Sequence, residues 1–322
     1  MISTQPDVSV CIVNWNCRDM LRDCLASLHE RYQGVLVETI VVDNASTDGA
    51  ADMVAVQFPE VILIRNDENR GFARGNNQAA ARATGRYLFF LNNDTLVPER
   101  SLSKLLDFAQ AHPEAGVIGP CLRGGDGQVQ VSVRKRPTVA ALLHHTMLFR
   151  WTNLFRRAYR AYRGRGQDLT TTHAVEVLLG AALFLRREVF AECGPWDERY
   201  TFGGEDIDLC TRIGRRYQAV YHPDVEITHF GRVSTRQHIG FAHSNTVNGI
   251  TRFLRRSGTP RPALWLYKTA LTLDAPLQWL RHGVNYLSQR LRGRSRQAAK
   301  SLLALRGAGH FLTRGLLGFW PA

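Results

Sequence analysis

Along the first 120 residues, short apolar runs alternate with longer segments whose apolar positions recur every three or four residues. Val8–Asn14 (VSVCIVN) reads as a buried strand, and Arg18–His29 as a helix with Met20, Leu21, Leu25 and Leu28 on one face. Residues 37–42 make a second strand ending at Asp43-Asn44, after which Ser46 is a suitable N-cap for a helix reaching Gln57. Residues 61–64 and 87–91 read as the third and fourth strands, separated by a helix over 72–84 that stops at Gly85. A helix over 99–111 then leads to Val117-Ile118. This alternation with short connections predicts an α/β fold, a Rossmann-like, mostly parallel sheet flanked by helices.

After a glycine-bearing linker at 123–135, an apolar run occupies 177–186 and a short helix follows at Arg187–Cys193, stopped by Gly194-Pro195. A helix over 205–216, short strands at 219–221 and 225–228, and a helix over 241–255 complete the pattern. Between 134 and 166 lies a segment of a different kind. Met147/Leu148, Trp151, Leu154/Phe155, Ala158/Tyr159 and Tyr162 recur at helical spacing, with Arg150, Asn153, Arg156/Arg157, Arg160 and Arg163 between them. A helix here would carry an aromatic stripe flanked by arginines, suited to the interface of an anionic bilayer. The same stripe could equally pack on the protein's own core. The stretch 256–322 is amphipathic in pieces, broken by Pro276 and Gly293, and suits a membrane foot, a dimer surface or a tail. The expected domains are 1–255, with a basic amphipathic insert at 123–166, and a basic helical C-terminal extension at 256–322.

Charge sharpens this division. Of the net +13, residues 123–166 hold ten Lys/Arg against Asp126 alone, and 256–322 hold eleven against Asp274 alone, so the rest of the chain is mildly acidic. A nucleic-acid enzyme would spread positive charge around its cleft, so no nucleic-acid partner is expected. The 44% apolar content excludes disorder. Six cysteines without a CxxC pair argue against a zinc ribbon or a disulfide scaffold and suit a reducing cytoplasm. The first residues lack a signal-peptide pattern, and the longest apolar run, 177–185, is about half of the roughly 20 residues a span needs. A cytoplasmic protein, peripheral on the membrane's inner face, is the expectation.

Ligands of open α/β sheets bind beyond the carboxyl ends of the strands. Three such ends are polar here: Asn14, Asp43-Asn44 and Asn92-Asn93-Asp94. Asp43 suits a base or ribose, though a strand-end Asp is also a common turn residue. Asp94 could bind Mg²⁺ or Mn²⁺ and bridge to a diphosphate, with Asn92 as a neutral oxygen ligand. In GGEDIDL, Glu205, Asp206 and Asp208 open a helix, where its dipole favours acids. Three carboxylates exceed what capping needs, and their crowding suits a general base. His229 is a candidate metal or phosphate ligand, or a structural histidine.

VSVCIVNWN, IVVDNASTDG, NRGFARGNNQAA, FLNNDT, the GA of LLGAALFLRREVF, WDERYTFGGEDIDLCTRI and ITHFGRVST occur in an order that resembles family 2 glycosyltransferases. The similarity spans 8–236 and is strongest to the rhamnosyltransferase-like branch of bacterial surface polysaccharide synthesis. It implies a GT-A fold and inverting, metal-dependent transfer of a sugar from a nucleoside diphosphate. By this resemblance Asp43 holds the base or ribose, and Asn14, Asn44, Asn93 and the Gly71, Phe72 and Asn76 segment line the nucleotide pocket. Asp94 takes the cation, Mg²⁺ or Mn²⁺, with Asn92 and His229 assisting. Asp206 is the base, flanked by Glu205, and Gly180-Ala181 sit near the acceptor. The implied donor is dTDP-rhamnose and the implied acceptor a lipid-linked oligosaccharide or polysaccharide. Another hexose or deoxysugar, or a non-catalytic membrane- or nucleic-acid-binding scaffold, are the alternatives. Two departures stand out: Asn92 replaces the first acid of the family's Asp-x-Asp motif, and the shared motifs leave the insert at 134–166 unexplained. A dinucleotide enzyme is disfavoured because the turn after the first strand, NWNCRD, has no GxGxxG, and a nucleotidyltransferase because the same turn is not a glycine-rich basic loop.

Overall fold

The computed structural model describes residues 5–29, 34–231 and 239–322. The last part of the ITHFGRVST motif, residues 232–235, lies outside the described residues. The chain forms two compact units. One comprises Met1–Arg136, Gly166–Thr201 and Glu205–Ser234; the other comprises Pro137–Arg165, Phe202–Gly204 and Thr235–Ala322.

In the first unit, β1 (Val8–Asn14), β2 (Val37–Asn44), β3 (Ile62–Asn66) and β4 (Tyr87–Asn92) pair in parallel in the order β3-β2-β1-β4. The near-continuous burial of β1, β2 and β4 is that of strands covered on both faces, which is why they read as unbroken apolar runs, whereas β3 at the sheet's edge is partly exposed. Leu21, Leu25 and Leu28 of the helix Arg18–His29 join Val10, Ile12, Phe89 and Leu91 in one core. The chain lays β2 and β3 on one side of β1, then returns to place β4 on the other. That reversal puts a topological switch point between β1 and β4.

The sheet continues through β11 (Ala182–Arg186), β6 (Ala115–Arg123), β12 (Gln218–His229) and β5 (Thr95–Leu96). Here it is mixed: β11 runs antiparallel to both β4 and β6, whereas β6 and β12 are parallel. The expected linker at 123–135 is instead a hairpin, in which β7 (Val129–Gln130) folds back on β6 through a turn at Gly127, whose φ is 76°. Next comes β8 (Val133–Arg134), which pairs with β10 (Val177–Leu178), while β9 (His173–Val175) pairs with β12. The two short strands expected at 219–221 and 225–228 are one strand, with a register shift between His222 and Glu226 at Pro223-Asp224. Ser46 does not cap a helix. That helix, Ala50–Gln57, starts after Gly49 in the left-handed region, leaving 45–49 as a loop over the strand ends.

The second unit is helical: Val139–Leu143, Met147–Trp151, Arg156–Tyr162, Ile239–Arg256, Arg261–Leu291 and Ser295–His310. Three expectations change here. The single helix expected over 147–162 breaks where Asn153 (φ 53°) and Phe155 (φ 62°) leave the right-handed region. Its stripe divides accordingly. Phe155, Ala158, Tyr159 and Tyr162 pack with Leu254, Leu264, Tyr267, Phe311 and Phe319, whereas Leu148, Trp151 and Leu154 stay exposed. Pro276 does not interrupt the chain but lies inside a 31-residue helix, which ends before Gly293 (φ 67°). Finally, residues 137–165 of the insert and the helix Ile239–Arg256 cluster with the C-terminal helices, so the compact units do not divide at 255.

Candidate active site

The polar strand ends meet at the switch point, all within the first unit. Asn14 lies in register with Asp43; its Nδ2 donates to Asp43 Oδ1 (3.0 Å) and to Ser46 Oγ (3.2 Å), and its Oδ1 accepts from Asn93 Nδ2 (2.7 Å). The amide of Ser46 donates to Asp43 Oδ2 (2.9 Å), so the loop that was expected to start a helix is drawn onto this carboxylate. Asn14, Asp43 and Asn44 are all buried, as hydrogen-bonded polar groups can be. Asn44 extends the row, donating to the carbonyl of Gly71 (3.2 Å) and accepting from Asn66 Nδ2 (2.8 Å), which also bonds Gln78.

Gly71 has φ 82°, and a Cβ there would lie 3.1 Å from the Thr201 carbonyl oxygen, so the position suits glycine alone. Phe72 sets its ring edge against Trp196, with centroids 5.6 Å apart. Asn76 is placed differently from the other asparagines. It is buried, and its side chain donates to Phe72 O (3.0 Å) within its own helix.

Asp94 follows β4 at the sheet's edge and is buried beside His229, with Oδ1 and Nε2 3.4 Å apart. The hairpin β6–β7 brings Gln130 to the other side of the imidazole. Its Nε2 donates to the His229 carbonyl (2.7 Å), which turns Oε1 toward His229 Nδ1 (2.9 Å). An amide oxygen can only accept, so Nδ1 carries a proton, and in the neutral ring Nε2 presents a lone pair. Asn92 Nδ2 lies 3.3 Å from that lone pair. In that neutral form Asp94 Oδ1 and His229 Nε2 are two Lewis bases that converge, as ligands of a divalent cation do, while Asn92 turns its amide nitrogen toward them and not its oxygen. Among the described residues no group of three or more His, Cys, Asp or Glu could hold a metal ion. A Mg²⁺-type cation suits such a pair, because it keeps waters and takes further oxygens from phosphates.

Asp206 sits in the first turn of the helix Glu205–Ile213, preceded by Gly203 and Gly204 with φ of 82° and 98°. Its Oδ1 accepts from Ile207 N (2.8 Å) and its Oδ2 from Gly180 N (3.4 Å), with Arg134 Nη2 3.6 Å away. Glu205 precedes it on the same turn. Asp208 points elsewhere: it pairs with Arg212 (2.7 Å), which also ties down the carbonyls of Gly194 and Pro195 (both 2.8 Å). Of the three carboxylates expected to crowd, Asp208 is thus taken up in a buried structural pair, and Asp206 and Glu205 share the first turn.

Gly180 and Ala181 join the two halves of the site. A Cβ on Gly180 would lie 3.3 Å from Asp206 Cβ, and the next carbonyl, Ala181 O, accepts from Asn92 N (2.9 Å). Consecutive Cα atoms are about 3.8 Å apart. The contact to Asp206 and the contact to Asn92 are therefore made by adjacent residues, Gly180 and Ala181. The structure brings together Asn14, Asp43, Asn44, Asn92, Asn93, Asp94, His229, Gly180, Ala181 and Asp206. It adds Ser46, read from the sequence as a helix cap, and Asn66, Gln130 and Arg134, which carried no local signal: Gln130 lay in an apparent linker, and Arg134 in a basic run. The thiols do not compete as nucleophiles. Burial pushes Cys24, which donates to Asn92 O, and Cys210 up to about 12.

Comparison with known proteins matches residues 9–194 to the Glycosyl transferase family 2 model. The chain is 30% identical, over 260 residues, to the N-acetylglucosaminyl-diphospho-decaprenol L-rhamnosyltransferase of Mycobacterium tuberculosis, covering 75% of this chain and 83% of that one. It is also 30% identical to the O-antigen biosynthesis protein RfbC of Myxococcus xanthus over 65% of this chain, though only 16% of that one. Among solved structures, the mannosyltransferase PcManGT of Pyrobaculum calidifontis, in complex with GDP-Man and Mn²⁺, is similar over 99% of this chain and 87% of its own (TM-score 0.54, 19% identity). S. aureus TarS is similar over 96% and 92% (TM-score 0.53, 13% identity). These likenesses establish the GT-A fold.

Proposed function

The chain belongs to glycosyltransferase family 2, and from that premise we propose an inverting transfer of L-rhamnose from dTDP-rhamnose to a hydroxyl of a lipid-linked oligosaccharide or polysaccharide. The observation that carries the reading is the Gly180-Ala181 bridge: Gly180 N donates to the buried Asp206 carboxylate, and the next residue's carbonyl, Ala181 O, accepts from Asn92 N at the end of β4. The name of the mycobacterial relative supports both the sugar and a polyprenyl-diphosphate acceptor.

In this mechanism the row Asn44, Asp43, Asn14 and Asn93 orients the nucleoside, with Gly71 and Phe72 closing its edge. Asp94 and His229, with Asn92 beside them, would hold Mg²⁺ or Mn²⁺, which supplies positive charge to the departing diphosphate. Asp206 accepts the proton of the acceptor hydroxyl as its oxygen bonds to the anomeric carbon and the bond to the diphosphate oxygen breaks. In-line displacement inverts the anomeric centre. Arg134 holds the Asp206 carboxylate in place, and Glu205 flanks it. No helix among the described residues is long and apolar enough to cross a membrane. The proposed location is therefore peripheral, on the cytoplasmic face where the acceptor lipid is exposed, with no role for nucleic acid.

A panel of nucleotide sugars with Mn²⁺ and a short-chain polyprenyl-diphosphate glycan tests this. The expected result is release of dTDP from dTDP-rhamnose with formation of an inverted glycoside. Release from another donor alone would replace the sugar, and release from none would overturn the reading.

A further inference from the structure

Charge separates by structural unit. Residues 137–165, 202–204 and 235–322 carry twenty Lys/Arg and one acid, a net +19, while the other unit carries −6. That single acid, Asp274, is buried, where it accepts from Met147 N (2.7 Å) and Gln278 Nε2 (2.9 Å). The surface of the second unit is thus without a carboxylate.

The longest helix, Arg261–Leu291, buries one face through Leu264, Tyr267, Lys268, Asp274 and Ala275. On its outer face Leu273, Leu277, Leu280, Val284, Leu287 and Leu291 follow one another at spacings of four and three residues. Each of them is 52–89% exposed. At about 100° per residue they form one continuous apolar stripe roughly 80–100° wide. At the end of the stripe Arg290, Arg292, Arg294, Arg296 and Lys300 are all exposed. An unbroken exposed leucine stripe of this length marks an interaction surface.

We propose that this face docks on an anionic lipid bilayer, the helix lying in the interface with its stripe among the acyl chains and the cations at its end among the headgroups. The alternating four-and-three spacing would also suit a coiled coil with a second copy, but charge decides between them. Self-pairing would bring two +19 units together with no exposed carboxylate to form the flanking ion pairs such a seam uses. A phosphate-rich membrane surface is complementary instead. This extends the peripheral location proposed above, yet it stands on the charge and exposure of one unit and not on the chemistry of the other.

The test is flotation of the full chain with phosphatidylcholine vesicles, with and without 30% phosphatidylglycerol. The wild type is expected to float with the anionic vesicles and not the neutral ones, and to be released by 0.5 M NaCl. Leu280→Glu/Val284→Glu should lower the vesicle partition at least tenfold, with an unchanged circular dichroism spectrum and unchanged turnover of a short-chain, water-soluble acceptor. Equal binding to both vesicle types, binding to neither, or a wild-type dimer that this variant converts to monomer would overturn the proposal. Vesicle binding by a protein that turns over no nucleotide sugar would instead leave docking intact and remove the proposed function.

Discussion

Replacing Gln130 by leucine removes both hydrogen bonds that orient His229, Oε1 to Nδ1 (2.9 Å) and Nε2 to the backbone carbonyl (2.7 Å), at nearly constant side-chain volume. Each neutral bond contributes about 1 kcal/mol net, so the imidazole loses about 1–2 kcal/mol of preference for the tautomer and angle that aim Nε2 at Asp94. That corresponds to a fall of about 5- to 30-fold in cation affinity, within the range seen when partners of metal-ligating histidines are removed. The assay is Mn²⁺ titration by electron paramagnetic resonance in the presence of dTDP, with turnover measured in parallel. Gln130→Glu keeps an acceptor for Nδ1–H and should recover most of the affinity. Unchanged Mn²⁺ affinity in Gln130→Leu, or equal losses in both variants, would refute the tautomer argument. A loss of kcat at saturating Mn²⁺ would show that the hairpin acts on something other than the cation.

Asn14→Ala leaves Asp43 without one of its donors in a buried site and should cost about 2–3 kcal/mol in urea unfolding, a deficit that added dTDP does not restore. Arg134→Met should lower kcat about tenfold with the donor KM unchanged, and Arg134→Lys should restore part of it, because the 3.6 Å contact is to Asp206 and not to the nucleotide row. Burial raises the thiols of Cys11, Cys24 and Cys210, so iodoacetamide at pH 8 should label Cys193, the half-exposed one, well before these three in the native protein. Peptide mass spectrometry before and after denaturation checks the order.

The parallel half of the sheet was legible because β1, β2 and β4 are buried on both faces and end in polar residues, so both the apolar runs and their endpoints show in one dimension. Strand direction was not. Ala182–Arg186 is as apolar as Tyr87–Asn92, and nothing in its composition says that it runs antiparallel. The roles of Asn14, Asp43 and Asp94 could be sought at strand ends by a general rule, whereas Gln130 reaches the site on a hairpin laid beside β12 and Arg134 through a pairing with Val177, distant in sequence. Pro276 misled for another reason. Its cost of about 3 kcal/mol in a helix interior is a local quantity, and packing of Arg261–Leu291 along Ser295–His310 outweighs it. The periodic pattern over 147–162 was real, but only its inward half became core, because two residues in the left-handed region split the helix.

The central claim, that Asp206 is the group that takes the acceptor's proton, is tested most directly by Asp206→Asn, which keeps size and hydrogen-bonding reach and removes the base. Single-turnover transfer should fall about 10²–10⁴-fold, while dTDP-rhamnose and Mn²⁺ bind with unchanged affinity. Transfer at the wild-type rate, or a loss explained wholly by weaker donor binding, would contradict it.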